Sequence, residues 1–217
     1  MVESQPPLIH LDLTDNFQAA IDRAAKTLRA GGIIAYPTET FYGLAVDIRN
    51  EKAVERLFSV KKRPPDNPVL IVIASDDLVK PYVTRIPRVA RRLMSIFWPG
   101  NLTLVFDAAA QVSSLLTGRT GKIGIRLSSH PVPTSLAGAM DGAISGTSAN
   151  VSGQPPCRNA RDVLKCLGRE IDMILDAGET AGRIGSTVID VTVDPIVLLR
   201  EGVISRDQLE SHHFTVR

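Results

Sequence analysis

The chain has 217 residues, 44% hydrophobic and 22% charged, as expected of a soluble globular fold. Its 25 basic and 23 acidic residues leave a net charge of +2, which does not support a nucleic-acid binder built on bulk electrostatics. No apolar run reaches the roughly 20 residues that span a bilayer, and residues 1–7 lack the pattern of a secretion signal, so a cytoplasmic protein without a membrane partner is expected. Cys157 and Cys166 fit no zinc or redox spacing and read as free thiols in a reducing compartment.

Thr14 or Asp15 is placed to cap a helix running to about Ala30, with Phe17, Ala20, Ile21, Ala24 and Leu28 on one face. Gly31-Gly32 ends it, because glycine accepts the left-handed C-cap. Ile33 to Tyr36 reads as a buried strand running into a turn rich in hydroxyls. A second helix covers about Glu51 to Lys62, capped by Asn50, and Pro64-Pro65 forbids its continuation. Val69 to Ala74 is a continuous apolar run, the signature of a central strand. Pro87 to Phe97 reads as a helix broken by Trp98-Pro99-Gly100. Strands follow at Leu102 to Phe106 and Lys122 to Leu127, then a helix at Thr134 to Met140. Gly118 to Gly124 reads as an exposed hairpin, with a mobile closing loop as the other reading. Ala143-Ile144-Ser145 leads into a polar loop from Gly146 to Gly153. Asn159 to Leu167 is a helix, and Met173 to Leu175, Thr187 to Val191 and Ile196 to Leu199 are strands. Strands and helices interleave, but several strands follow one another directly. The expected fold class is therefore α/β with a mixed sheet, in a single domain over residues 1–217 with its core at about 14–206.

Four sets of residues could carry chemistry. Lys61-Lys62-Arg63 ends a helix, where cations complement the macrodipole; Arg63, pinned before two prolines, also suits a phosphate-binding fork. Thr38, Glu39, Thr40 and Tyr42 follow a strand end. Such a place forms a turn, or holds a ligand in the crevice outside the strands. Thr147 to Gly153 is either a capped loop or a second polar binding segment. Arg200 follows an apolar run, as an exposed edge residue or a second phosphate clamp. The histidines His10, His130, His212 and His213 form no triad or metal motif, and there is no P-loop or Gly-x-Gly-x-x-Gly.

In this order, Tyr36-Pro37-Thr38-Glu39-Thr40-Phe41-Tyr42-Gly43-Leu44, Lys61-x-Arg63-Pro64, Trp98-Pro99-Gly100-x-Leu102-Thr103, Ile125-Arg126-Leu127-x-x-His130-Pro131, Ser148-Ala149-Asn150-x-Ser152-Gly153, Ser186-Thr187-Val188-x-Asp190 and Leu199-Arg200-x-Gly202 resemble the YrdC-like family of threonylcarbamoyl-AMP synthases. The resemblance runs from about Gly31 to Ile204 and looks like the short, bacterial form. It implies a YrdC-like twisted mixed sheet flanked by helices around a basic concave cavity. The implied reaction joins L-threonine, bicarbonate or CO2 and ATP into threonylcarbamoyl-AMP and pyrophosphate, with Mg2+ accompanying the triphosphate. Partner transferases then modify adenosine 37 of tRNA. By the same resemblance Lys61 and Arg63 are catalytic and face the ATP phosphates with Asn67, Asn150, Arg158 and Arg200. Thr40, Arg126, Ser148 and Ser186 form the threonine pocket, Arg126 taking the substrate carboxylate bidentately.

Three positions depart from the family pattern. Val72 stands where many members hold threonine with a histidine, Arg158 stands where a threonine or serine is common, and Asn101 stands where a proline is usual and reads as a tolerated turn change. Two other readings stand beside the synthase. One is a module that binds RNA or tRNA weakly and with strong salt dependence. The other is a nucleotide-binding paralogue that has lost threonine.

Overall fold

A computed structural model describes residues 6–12 and 15–217. Ten strands form one mixed sheet: β1 (Leu8–His10), β2 (Ile34–Tyr36), β3 (Gly43–Ala45), β4 (Leu70–Ile73), β5 (Leu102–Asp107), β6 (Lys122–Arg126), β7 (Ala143–Ser148), β8 (Met173–Asp176), β9 (Thr187–Asp190) and β10 (Val197–Arg200). Their spatial order is β1-β8-β2-β3-β7-β4-β6-β5-β9-β10. The β1–β8, β2–β8, β4–β6 and β5–β9 pairs are parallel and the other pairs antiparallel, which gives the mixed α/β class expected of the sequence.

Among the described residues six α-helices cover the sheet: α1 (Phe17–Arg29), α2 (Glu51–Lys61), α3 (Arg88–Phe97), α4 (Pro131–Ala139), α5 (Ala160–Leu167) and α6 (Arg206–Ser211). On one face, Ala20, Ile21, Ala24 and Leu28 of α1 pack with Val132, Leu136 and Ala137 of α4 against Ile34, Tyr36, Val72 and Ile144. On the other, α2, α3 and α5 bury Leu57, Leu93 and Val163 against Ile71, Ile73, Leu104, Ile125 and Ile189. A four-residue apolar strand such as β4 thus serves two faces at once.

Local chemistry sets the helix ends. The Asn50 side chain accepts from the Ala53 amide at 3.2 Å and starts α2. Lys62 closes it in the left-handed region at φ 49°, where the Arg63 amide reaches back to the Phe58 carbonyl at 2.9 Å. Thr14, one of the two caps expected for α1, lies outside the described residues. Asp15 is not the cap: the helix begins after Asn16, whose side chain instead bridges the Asp12 amide and the His10 carbonyl.

Two boundaries differ from expectation. Helix α4 begins at Pro131 rather than Thr134, because proline fits the first helical position and His130 Nδ1 accepts from the Val132 amide. Strand β7 continues through Gly146-Thr147-Ser148, expected to be loop, because Thr147 and Ser148 pair with Leu44 and Gly43 of β3. Backbone pairing is indifferent to the polarity of the side chains it carries.

Candidate active site

Alternate residues of a strand face the same way, and one such set makes a cavity floor. Leu70 and Val72, Thr103 and Val105, Lys122, Gly124 and Arg126, Gly146 and Ser148, and Ser186, Val188 and Asp190 all line a cavity of about 700 Å³. It lies on the sheet face that carries α1 and α4, and Tyr36, Thr38, Thr40 and Tyr42 close one side. Room for it depends on small residues: a Cβ on Gly146 would meet the Leu70 Cδ1 at 2.6 Å and the Val72 Cγ2 at 2.7 Å.

The turn after β2 is organised by Thr38, whose hydroxyl accepts from the Thr40 and Phe41 amides at 3.0 and 3.2 Å and donates to the Phe41 carbonyl at 2.7 Å. Glu39 then reaches Arg126, with 2.9 Å between carboxylate and guanidinium. It also accepts from the Ser128 hydroxyl at 2.5 Å and the Ser129 amide at 3.0 Å. Burial works against the Glu39 charge, but Arg126 and these donors prevail and hold its carboxyl below the usual range.

Arg126, 8% exposed, is fixed on three sides. Its Nε donates to the Gly100 carbonyl at 3.1 Å, and its Nη2 to the Asn101 Oδ1 at 2.8 Å and to Glu39. Only the two Nη1 hydrogens remain for a ligand among the described interactions. Asn101 and Glu39 thus occupy the Nη2 nitrogen that the bidentate grip expected from the sequence would share. Asn101, read above as a neutral turn change, is a partner of that guanidinium. The signal was its position in the Trp98-Pro99-Gly100 turn, which abuts β6.

The other cations follow the same principle of backbone restraint. Arg63 donates from Nε to the Asn67 carbonyl at 3.0 Å and from Nη2 to the Pro68 carbonyl at 2.7 Å while lining the cavity. Arg200 holds the Ser186 carbonyl from Nε at 3.1 Å and from Nη2 at 2.8 Å, and its Nη2 reaches the Ser186 hydroxyl at 3.1 Å. Burial holds both guanidiniums below their ordinary value, and Arg126 adds to the effect at Arg200. Lys122 pairs with Asp190 at 2.7 Å inside the cavity; the sequence places Lys122 at the start of a strand and in the Gly118 to Gly124 segment but does not assign it to the site.

Lys61 is 1% exposed and does not line the cavity. Its ammonium lies beneath the segment that follows β7, donating to the carbonyls of Ser148 and Asn150 and to the Asn150 side chain. Burial first, and Arg63 second, bring it down to about 8. Asn150 is buried and holds that segment closed through the carbonyls of Val151 and Gln154. Thr40, Arg63, Arg126, Ser148, Asn150, Ser186 and Arg200 come together around the cavity. Asn67 and Arg158 do not. Asn67 is exposed, and its backbone N–H donates to the Pro64 carbonyl at 3.0 Å. Arg158 faces Glu179 at 3.2 Å, because its own carbonyl is tied to the Thr180 amide. Among the described residues no three His, Cys, Asp or Glu side chains gather as metal ligands.

The sequence profile named Sua5_yciO_yrdC and described as Telomere recombination matches residues 26–202. The chain belongs to this family. A Pyrococcus abyssi relative named Threonylcarbamoyl-AMP synthase is 39% identical over 86% of this chain. This chain spans only 55% of that protein's length. A Vibrio cholerae relative of the same name is 37% identical, over 82% of this chain and 93% of its own. Among solved structures, P. abyssi Sua5 complexed with L-threonine superposes with a TM-score of 0.91 at 35% identity, covering 97% of this chain and 62% of that one. The twisted mixed sheet flanked by helices is thus the fold of the Sua5/YrdC proteins. No helix among the described residues is long and apolar enough to cross a membrane.

Proposed function

We propose that this chain is an L-threonylcarbamoyladenylate synthase, a nucleotidyltransferase that makes threonylcarbamoyl-AMP and pyrophosphate from L-threonine, bicarbonate or CO2 and ATP. The observation that carries the proposal is a single cavity holding a buried Arg126 with one open edge and, on other walls, the restrained cations Arg63 and Arg200. The names of the relatives and the L-threonine complex of the P. abyssi structure support it.

The chemistry explains the residue types. The threonine amine adds to CO2 to form an N-carboxylate, which attacks the α-phosphate as pyrophosphate departs. The nucleophile is already an anion, so the protein supplies positioning and charge neutralisation rather than a Ser, Cys or His. Arg126 meets the threonine carboxylate through Nη1, with Thr40, Ser148 and Ser186 around it. Arg63 and Arg200 neutralise the phosphates. Lys61 is a positioning residue that holds Ser148 and Asn150 in place from below. Mg2+ would enter with the triphosphate and add to the charge neutralisation that Arg63 and Arg200 supply. The product passes to a transferase that modifies tRNA, in the cytoplasm.

Pyrophosphate release from ATP, with threonine and bicarbonate each added or withheld, tests the proposal. Release that needs both and disappears in Arg63→Ala is expected. ATP binding with release independent of threonine would overturn it in favour of a diverged paralogue.

A further inference from the structure

Two buried tyrosines flank the hydroxyl-rich turn, and their hydroxyls end differently. That of Tyr42 donates to the Gly178 carbonyl at 2.8 Å, lies 3.3 Å from the Asp176 carboxylate and accepts from the Ala177 amide at 3.3 Å. Tyr36 is 1% exposed, yet no hydrogen bond among the described residues uses its hydroxyl. Nor is it sealed away. The only enclosed side-chain atoms without a partner among the described residues are Ser152 Oγ and Arg158 Nε, whereas Tyr36 lines the cavity. A buried tyrosine hydroxyl normally finds a partner, and one that does not calls for a reason.

The surroundings hold this group bare and aimed. Gly43 pairs with Tyr36 across β2 and β3, and a Cβ there would stand 2.9 Å from the ring Cζ and 3.0 Å from the hydroxyl. Burial keeps the phenol neutral, well above its ordinary range, so it remains a donor. Other hydroxyls of the site are engaged within the protein. Thr40 is 3.1 Å from the Thr38 hydroxyl, Ser148 donates to Asn150, and Ser186 is 3.0 Å from the Thr103 hydroxyl while accepting from Arg200. Val72 packs in the same apolar cluster as Tyr36 and gives the floor no polar atom.

Resting on the threonine reading above, we infer that Tyr36 is a specificity-determining residue whose hydroxyl hydrogen-bonds the side-chain hydroxyl of the substrate. Threonine satisfies a buried group that the fold leaves unpaired. Valine, equal in shape, leaves it unpaired in a site that has desolvated it, which is how a polar site rejects an isostere.

Calorimetric titration of wild type and Tyr36→Phe with threonine and with valine, ATP serving as control, tests this. Wild type is expected to bind threonine at least tenfold more tightly than valine. Tyr36→Phe is expected to weaken threonine about tenfold or more, to leave valine and ATP unchanged, and to keep or raise Tm because an unpaired polar group is gone. Equal losses for threonine and valine would assign the hydroxyl to the shared carboxylate or amine and overturn the inference. Unchanged threonine affinity, or a lowered Tm with ATP weakened too, would overturn it as well. A wild-type protein that binds no threonine refutes the synthase reading itself, and the inference with it. That failure is seen in the wild-type arm, whereas failure of the inference alone is confined to the variant.

Discussion

Lys61 is a buried ammonium without a carboxylate partner among the described residues, and this makes its titration measurable in the stability of the fold. Its acceptors are the Ser148 carbonyl, the Asn150 carbonyl at 2.8 Å and the Asn150 Oδ1 at 3.4 Å, all neutral. Burial, then Arg63, lower it from 10.5 to about 8. The folded chain therefore sheds this proton near pH 8 and the unfolded chain near 10.5. Between those values the unfolded chain binds more protons, so stability rises with pH. The charged form costs the fold about 3 kcal/mol, of which about 2 kcal/mol is regained between about pH 7.5 and pH 9.5. Lys61→Met removes the titration. The Cys157 thiol, pushed up to about 12 by burial, and the raised phenols of Tyr36 and Tyr42 act in the opposite sense. Their contributions are lost as pH rises through the unfolded values; the Lys61 charge lowers the Cys157 thiol only as the last of its influences, so most of this loss is common to both proteins. Urea denaturation at the two pH values should show wild type gaining about 2 kcal/mol more than Lys61→Met. Parallel pH dependence in the two proteins would refute the claim that the ammonium sits in a dehydrated, unpaired setting.

Asn101→Leu should leave an Arg126 hydrogen without an acceptor, at about 1–3 kcal/mol; titration should show threonine binding weakened tenfold or more with ATP binding intact. Gly182→Ala would place a Cβ 2.2 Å from the Thr40 carbonyl oxygen and 2.4 Å from its Cα. The resulting overpacking, about 1–3 kcal/mol, should lower both Tm and threonine affinity. Iodoacetamide should label the half-buried Cys166 before the buried Cys157, whose thiol ionises only near 12; peptide mass mapping gives the order.

Signals that are local in the chain were legible. Asn50 announces α2, and Pro64-Pro65 announces its end, because capping and ring geometry act within a few residues. The mixed sheet followed from strands that succeed one another without an intervening helix. Gly43-Leu44-Ala45 was not read as a strand, because three small or apolar residues carry no period and owe their structure to Tyr36 on one side and Ser148 on the other. Residue types picked out most of the side chains that gather around the cavity, but not what each cation faces. Lys61 and Arg63 are two residues apart, yet one turns beneath the segment after β7 and the other along the cavity wall. Arg158 was expected at a phosphate and points at Glu179, since the pairing of its backbone with Thr180 comes from a segment distant in sequence. Asn101 was misjudged for the same reason: its partner, Arg126, lies on another strand.

The walls of the cavity are drawn from opposite ends of the chain. Tyr36 and Thr40 come early, while Ser186 and Arg200 stand on or beside the last two strands, and Leu8 pairs with Ile174 across the sheet. Such pairings close large loops and form slowly. A chain emerging from the ribosome has the cavity wall that carries Ser186 and Arg200 incomplete until β10 has docked. A ligand that needs both walls of the cavity is therefore expected to bind only a chain whose last strands have docked.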